Sequence, residues 1–239
     1  MNVVELRQYT LRPGQRDVLI DLFDREFVET QEEVGIRVIG QFRDEDEPDR
    51  FVWIRAFPDM DVRRDSLTAF YVEGVAWREH RAAARATMLD TSNALLLSPA
   101  RPHSGFTPMS PRPPAGADTP PESRIAVTIY ARDTALDEDF LSFFEDGVAP
   151  VMAATGATPL AYFATKTAEN TFPTLPVREG ENVFVWLAAF TNTAQRREHE
   201  RQLAQSTRWH QKVLPDLSQR LSAPPQHLRL APTARSQLR

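Results

Sequence analysis

The stretch FVWIRAFPDMDVRR, residues 51–64, decides the fold, because the chain repeats it at 184–197 as FVWLAAFTNTAQRR. One offset of 133 places Phe51, Val52, Trp53, Phe57, Arg63 and Arg64 on Phe184, Val185, Trp186, Phe190, Arg196 and Arg197. Upstream, an offset of 121 sets Tyr9 on Tyr130, Phe23 on Phe144, Gly35 on Gly156 and Phe42 on Phe163. Downstream, the 133 offset sets Leu95, Leu97 and Pro99 on Leu228, Leu230 and Pro232. The two offsets differ by 12 residues, an insertion that falls in the polar stretch TKTAENTFPTLPVREGEN, 165–182. A loop is where an insertion costs least.

Between the copies lies PARPHSGFTPMSPRPPAGADTPPES, 99–123, rich in proline and without apolar periodicity. It reads as an extended linker, with a reach of about 70–80 Å that leaves the halves free to dock in any orientation. The expected division is a first domain at 1–99, a linker at 100–123, a second domain at 124–232 and a C-terminal tail at 233–239.

Each copy carries the same succession of patterns. VVELRQYTL is a strand, and QRDVLIDLFDREFVETQEEVG is a helix with Val18, Leu22 and Phe23 at helical spacing, ending at Gly35. IRVIGQFR and FVWIRAF are strands around the acidic turn DEDEPD. A second helix, capped by Asp59 or Asp61, runs to about residue 90, with Leu67, Phe70, Tyr71 and Trp77 as its apolar face. NALLLSP closes the unit. The order βαββαβ is ferredoxin-like and places the chain in the α+β class, with two helices on one face of an antiparallel sheet. The opposite face needs cover, and the second copy supplies it. The expected architecture is an intrachain pseudo-dimeric α/β barrel with its helices outside.

The 239 residues are 41% hydrophobic, enough for two domains of about 100 residues. No cysteine is present, which removes disulfides, thiolate metal sites and thiol nucleophiles. The formal charge of −5 argues against a nucleic-acid partner. The start MNVVELRQYT is neither a signal nor a transit peptide, and no run is long enough to span a bilayer. A cytoplasmic protein with no membrane partner is expected. GxGxxG, Walker-type and GxSxG motifs are absent, so nucleotide-fold and α/β-hydrolase chemistry lack their backbone.

The first half resembles the NIPSNAP family. The resemblance rests on Glu5-Leu6-Arg7-Gln8-Tyr9, Leu11, Pro13-Gly14, Gly35, Trp53, Phe57, Arg63 or Arg64, and Trp77. It covers nearly all of 3–99 and weakens over 124–232, where AVTIY replaces ELRQY and no Pro-Gly follows. It implies a dimeric α/β-barrel fold and, for most members, no established chemistry. Relatives of that fold include haem proteins and cofactor-free oxygenases that use the cavity between helices and sheet. Two functions follow as expectations: binding of a small aromatic or anionic metabolite, or cofactor-independent or haem-assisted chemistry of a monooxygenase-like kind.

Charges inside strands mark the candidate site. Glu5, Arg7 and Arg37 lie in strands, and Arg55 interrupts an apolar one. Their counterparts in the second copy are Ala126, Thr128, Thr158 and Ala188. Because a buried arginine needs pairing, Glu5 or Arg7 is expected against Arg55, either as an anion- or carbonyl-binding fork or as an ion pair between the halves. Tyr9, Trp53 and Trp77 would line a flat apolar pocket for a ligand, or fill the core. Glu73, Trp77 and His80 share a helical face, which makes His80 the candidate acid or base, unless it is an incidental surface histidine. His199 and His210 share a face about 16 Å apart, too far for one metal ion, and no metal site is expected. No cofactor is required by these residues; an axial histidine for haem would be His80 or His210. Arg63-Arg64 and Arg196-Arg197 oppose their helix dipoles and are expected to pair with acids of the other half or of another subunit, a further homo-oligomer, or else to bind an anionic substrate.

Overall fold

A computed structural model describes residues 1–107 and 110–239; Pro108 and Met109, within the expected linker, lie outside the described residues. Among the described residues nine strands form: β1 (Val3–Leu11), β2 (Arg37–Asp44), β3 (Arg50–Phe57), β4 (Met88–Asp90), β5 (Ala94–Pro99), β6 (Arg124–Arg132), β7 (Pro159–Thr165), β8 (Asn182–Phe190) and β9 (Gln226–Pro232). They pair in the order β3-β2-β9-β6-β8-β7-β5-β1, and β1 pairs again with β3, so eight strands close a ring with β4 appended to β1. Every pairing is antiparallel. The seams between the two βαββαβ units are β2 with β9 and β5 with β7. The expected barrel is thus the observed one.

Alternation along the strands explains which side chains meet. Val4 and Leu6 of β1, Val52 and Ile54 of β3, Val127 of β6 and Val185 of β8 fill the barrel interior with other aliphatics. The intervening residues face the helices: Val3, Tyr9 and Leu11 with Phe51, Trp53 and Phe57 in one unit, and Tyr130 with Phe184, Trp186 and Phe190 in the other. Two separate layers result, an aliphatic barrel core and a pair of aromatic cores between sheet and helices.

The helices are α1 (Arg16–Leu22), α2 (Val28–Glu33), α3 (Met60–Thr68), α4 (Val75–Thr87), α5 (Glu138–Phe143), α6 (Ala149–Ala154), α7 (Thr193–Gln205) and α8 (Leu214–Arg220). Wide turns of π type join them in pairs at Phe23–Phe27, Ala69–Glu73, Phe144–Val148 and Trp209–Val213. The first helix faces inward through Leu19, Ile20, Leu22 and Phe23, whereas Val18 is 52% exposed. Val18 belongs to the outer face because Leu19, four residues before Phe23, already occupies the inner one.

Asp59 caps α3 by accepting from the Val62 amide at 2.8 Å. The second helix does not run unbroken to residue 90: it stops at Gly74, whose ψ of 131° is extended. A Cβ there would sit 2.3 Å from the Phe70 carbonyl oxygen. Gly74→Ala is therefore expected to lower stability by about 1–3 kcal/mol through overpacking, seen as an earlier denaturation midpoint. An unchanged midpoint would show that the break can shift along the helix.

The segment after β5 lies on the surface at fixed points. Arg101 bridges Glu138 and Glu145 of the second unit, while Arg112 reaches Glu32 and the Val38 and Arg235 carbonyls. The C-terminal residues are not a loose tail: Leu238 enters the barrel core and its amide bonds the Ile39 carbonyl at 2.8 Å. No helix among the described residues is long and apolar enough to cross a membrane.

Candidate functional site

In β1 the odd-numbered residues face the helices, so Glu5, Arg7 and Tyr9 all enter the first aromatic core. The β1–β3 register sets Glu5 directly opposite Arg55, and Arg7 opposite Trp53. Arg63, in the first turns of α3, completes the group from above. All four charged side chains are fully buried. Glu5 is the hub: Oε2 accepts from Arg55 Nε at 2.8 Å and Arg7 Nη1 at 3.0 Å, and Oε1 accepts from Arg63 Nε at 2.6 Å.

One carboxylate therefore faces three guanidiniums, leaving two buried positive charges in excess. Burial alone would raise the Glu5 pKa, but Arg55, Arg7 and Arg63 together outweigh it and hold the carboxyl well below the usual carboxylate range. Some of the remaining donors are met by neutral acceptors. Arg7 Nε donates to Tyr9 Oη at 3.1 Å and Arg55 Nη1 to Tyr71 Oη at 3.3 Å. Arg55 also stacks over Trp53, 4.9 Å from the ring centroid. Arg63 Nη2 has no hydrogen-bond partner among the described residues.

The cover comes from the other unit. The inserted stretch between β7 and β8 folds over the first unit instead of standing free. Asn170 Oδ1 and Thr171 Oγ1 accept from Arg63 Nη1 at 3.1 and 3.2 Å, and the Pro176 carbonyl lies 3.4 Å from Arg7 Nη2. Phe172 packs on Tyr71, with ring centroids 6.1 Å apart.

Beside the cluster is a cavity of about 150 Å³, walled by Tyr9, Phe27, Trp53, Phe70, Tyr71 and Trp77 and closed by Thr174 and Leu175 of the inserted stretch. Trp77 meets Tyr71 edge-on at 4.9 Å, and Tyr9 meets Trp53 at 6.0 Å. Two hydroxyls on this wall accept from guanidiniums, and neither has an acceptor for its own proton among the described residues. Trp53 Nε1 is likewise buried without a partner, as is the acceptor Gln31 Oε1. Burial raises the Tyr71 pKa, so its hydroxyl keeps its proton at neutral pH.

Of the residues singled out in the sequence, Glu5, Arg7, Tyr9, Trp53, Arg55 and Trp77 come together here. Arg37 does not; it is half-buried at the start of β2, opposite Ala56. His80 meets Glu26 at 3.4 Å, not Glu73, and is no part of the cavity wall. His210 is exposed, with Nε2 2.9 Å from the Ala204 carbonyl oxygen. It shares no helix with His199, since α7 ends at Gln205. Neither His80 nor His210 lines the cavity of either unit, so neither is placed to hold a haem there. The charged cluster faces the helices and not the barrel interior where the two sheets meet. Arg63, expected against an acid of the other half or of another subunit, pairs instead with Glu5 of its own unit, and Tyr71, Asn170 and Thr171 join the site without having been singled out for it. The repeat of Arg63, Arg196, does reach an acid of the other unit, Glu45, at 3.2 Å.

Residues 4–101 match the NIPSNAP family model. No curated protein matches the chain. Among solved structures, a candidate monooxygenase from Fusobacterium nucleatum aligns with a TM-score of 0.62 at 8% identity, covering 97% of this chain and 92% of that one. An anthrone oxidase-like protein aligns at 0.57 and 11% identity over 97% and 91%. A candidate monooxygenase from Lactobacillus acidophilus aligns at 0.55 and 10% identity over 97% and 94%. At these identities the likeness concerns the fold, and it extends over nearly the whole of each chain. The chain thus carries a NIPSNAP model match over residues 4–101, in the first unit of a barrel that a second unit of the same architecture completes.

Proposed function

We propose that the first unit binds a small aromatic molecule carrying an anionic oxygen, such as an aromatic carboxylate. The observation that carries this reading is the pair of hydroxyls, Tyr9 and Tyr71, each backed by a guanidinium and each with a proton to donate at the wall of an aromatic cavity. Trp53 Nε1 adds a third donor. Behind them the cluster holds two more positive than negative charges, so an anion in front of the tyrosines lowers the energy of the whole group. The size suits a single ring: a cavity of about 150 Å³ lined by apolar side chains accommodates benzene.

A monooxygenase-like activity, cofactor-independent or haem-assisted, draws on what the similar full-length structures are called. Within this chain His80, the expected acid or base, stands outside the cavity, so binding is the better supported role.

Benzoate is the probe, with toluene as its uncharged counterpart, both titrated calorimetrically. Benzoate is expected to bind at least tenfold more tightly than toluene, and the Tyr9→Phe/Tyr71→Phe double variant to lose that margin, since a hydrogen bond to a charged group contributes about 1.5–3 kcal/mol and 1.4 kcal/mol is tenfold. Equal affinity for the two probes, or a double variant that binds benzoate as the parent does, would sink the proposal.

A further inference from the structure

The second unit holds a larger cavity, about 430 Å³, between its sheet and helices. Its origin lies in three substitutions between the copies. Where the first unit fills this space with Glu5, Arg7 and Arg55, the second has Ala126, Thr128 and Ala188, and all three line the cavity. Ala126 and Ala188 are direct partners across β6 and β8, so the floor is flat at the centre of the sheet. Tyr130, Trp186, Phe190 and Trp209 supply aromatic walls. The volume is in the range of small-molecule sites, about 300–1,000 Å³.

Charge separates this cavity from the first. Arg196 occupies the position of Arg63 but has no counterpart of Glu5 beneath it. It turns to Glu200 at 2.6 Å and Glu45 of the first unit at 3.2 Å. Arg229 meets Glu200 at 3.0 Å and Asp46 at 3.1 Å, and Arg124 meets Glu45 at 2.7 Å. The network sets three arginines against three acids; Arg196, Arg229 and Glu200 of it line the cavity, and each of these arginines is already paired.

Among the polar groups of the wall, His199 of α7 offers an acceptor. Its Nδ1 lies 2.9 Å from Thr155 Oγ1 and 3.2 Å from the Thr155 carbonyl oxygen. The Thr155 hydroxyl donates its own proton to the Val151 and Met152 carbonyls. Both Thr155 oxygens are therefore acceptors, Nδ1 carries the hydrogen, and Nε2 is left as a bare acceptor on the opposite edge of the ring. Burial lowers the His199 pKa against the opposing pull of the Thr155 carbonyl and Glu200, which keeps the imidazole neutral at pH 7.

From this geometry we infer a second ligand site, in the second unit, for an uncharged aromatic alcohol whose hydroxyl donates to His199 Nε2 and whose ring lies between the alanine floor and the aromatic walls. It is distinct from the anion-binding site proposed for the first unit and does not depend on it. An uncharged ring bearing a hydroxyl suits these surfaces: the arginines of this edge are paired with acids, the walls are largely aromatic, and the hydroxyl both donates, to His199 Nε2, and offers its oxygen to the unpartnered donors Trp186 Nε1 and Arg196 Nε.

The test uses the full chain with 1-naphthol, naphthalene and 1-naphthoate as probes, followed by calorimetry and by quenching of tryptophan fluorescence. 1-Naphthol is expected to bind at least tenfold more tightly than 1-naphthoate. His199→Phe is expected to weaken 1-naphthol roughly three- to tenfold while leaving naphthalene unchanged, the size of one neutral hydrogen bond. Ala188→Phe, which refills the space that Arg55 occupies in the first unit, is expected to abolish binding of 1-naphthol and naphthalene alike with the circular dichroism preserved. Should that variant misfold, Leu203→Trp obstructs the cavity from α7 and is expected to act in the same way. The inference is overturned if a folded, cavity-filling variant still binds 1-naphthol, if 1-naphthoate binds as tightly as 1-naphthol, or if the Tyr9→Phe/Tyr71→Phe variant of the first unit is the one that loses 1-naphthol.

Discussion

Replacing Glu5 with glutamine is expected to destabilise the protein by about 3–5 kcal/mol, the scale of a buried charge stripped of its partner. Three guanidiniums converge on this one carboxylate, and all four side chains are fully buried. A glutamine of nearly the same shape cannot supply the charge, and its amide nitrogen would point donors at donors. Denaturant unfolding of both proteins at pH 7 gives the difference directly. A second readout is pH. The folded carboxyl is held below its ordinary range, so ionised Glu5 stabilises the fold fully above the unfolded value of about 4.3, and this contribution drains away as acid carries the pH down toward the folded value. The parent should therefore lose stability on acidification below about pH 4 more steeply than Glu5→Gln. Adding Arg63→Met to Glu5→Gln should recover part of the loss by removing one unpaired cation. A Glu5→Gln protein within about 1 kcal/mol of the parent would show that surrounding neutral acceptors, and not the carboxylate, hold the arginines.

Shortening the inserted stretch, by replacing residues 167–178 with a brief Gly-Ser connection, is expected to cost about 2–6 kcal/mol, taking about 1–3 for each buried guanidinium whose acceptors are lost. The stretch supplies Asn170, Thr171 and the Pro176 carbonyl to Arg63 and Arg7, and Phe172 to the aromatic core. Its removal also opens the first cavity, whose outer wall includes Thr174 and Leu175. Benzoate affinity should fall together with stability, whereas the second cavity, which borrows no residue from this stretch, should keep its guest. A shortened protein as stable as the parent would mean that water replaces these acceptors without loss.

The contrast between these two predictions shows what the chain's letters made visible. Glu5, Arg7 and Arg55 stood out because a charge inside an alternating apolar strand has to be explained, and the strand order then placed them side by side. Arg63 was visible as a cation in want of an acid, but its partner was not, since no local pattern says that Glu5 lies beneath the start of that helix. The inserted stretch was read as a loop because its polar, proline-containing composition matches one. That it docks depends on Phe172 and Leu175 finding a neighbouring core, which no local pattern records. The break at Gly74 was missed for a related reason: one glycine in an amphipathic run is usually tolerated, and the obstruction by the Phe70 carbonyl exists only once the turn has formed. The second cavity was harder still. Ala126, Thr128 and Ala188 were seen as uncharged, but their meaning is volume, and missing volume appears only when aligned positions are compared for size.

Closure of the barrel has a consequence for how copies of this chain can meet. In an open sheet, the outermost strands offer free amides and carbonyls to any similar chain, a route to uncontrolled association. Here eight strands each have a neighbour on both sides, and among the described residues β4 alone retains a free edge. At three residues it is too short a template for another sheet to extend. The seams that two separate subunits would present to each other are already occupied within one molecule, so a larger assembly has to be built through helix surfaces and connecting segments, leaving the strands out of it.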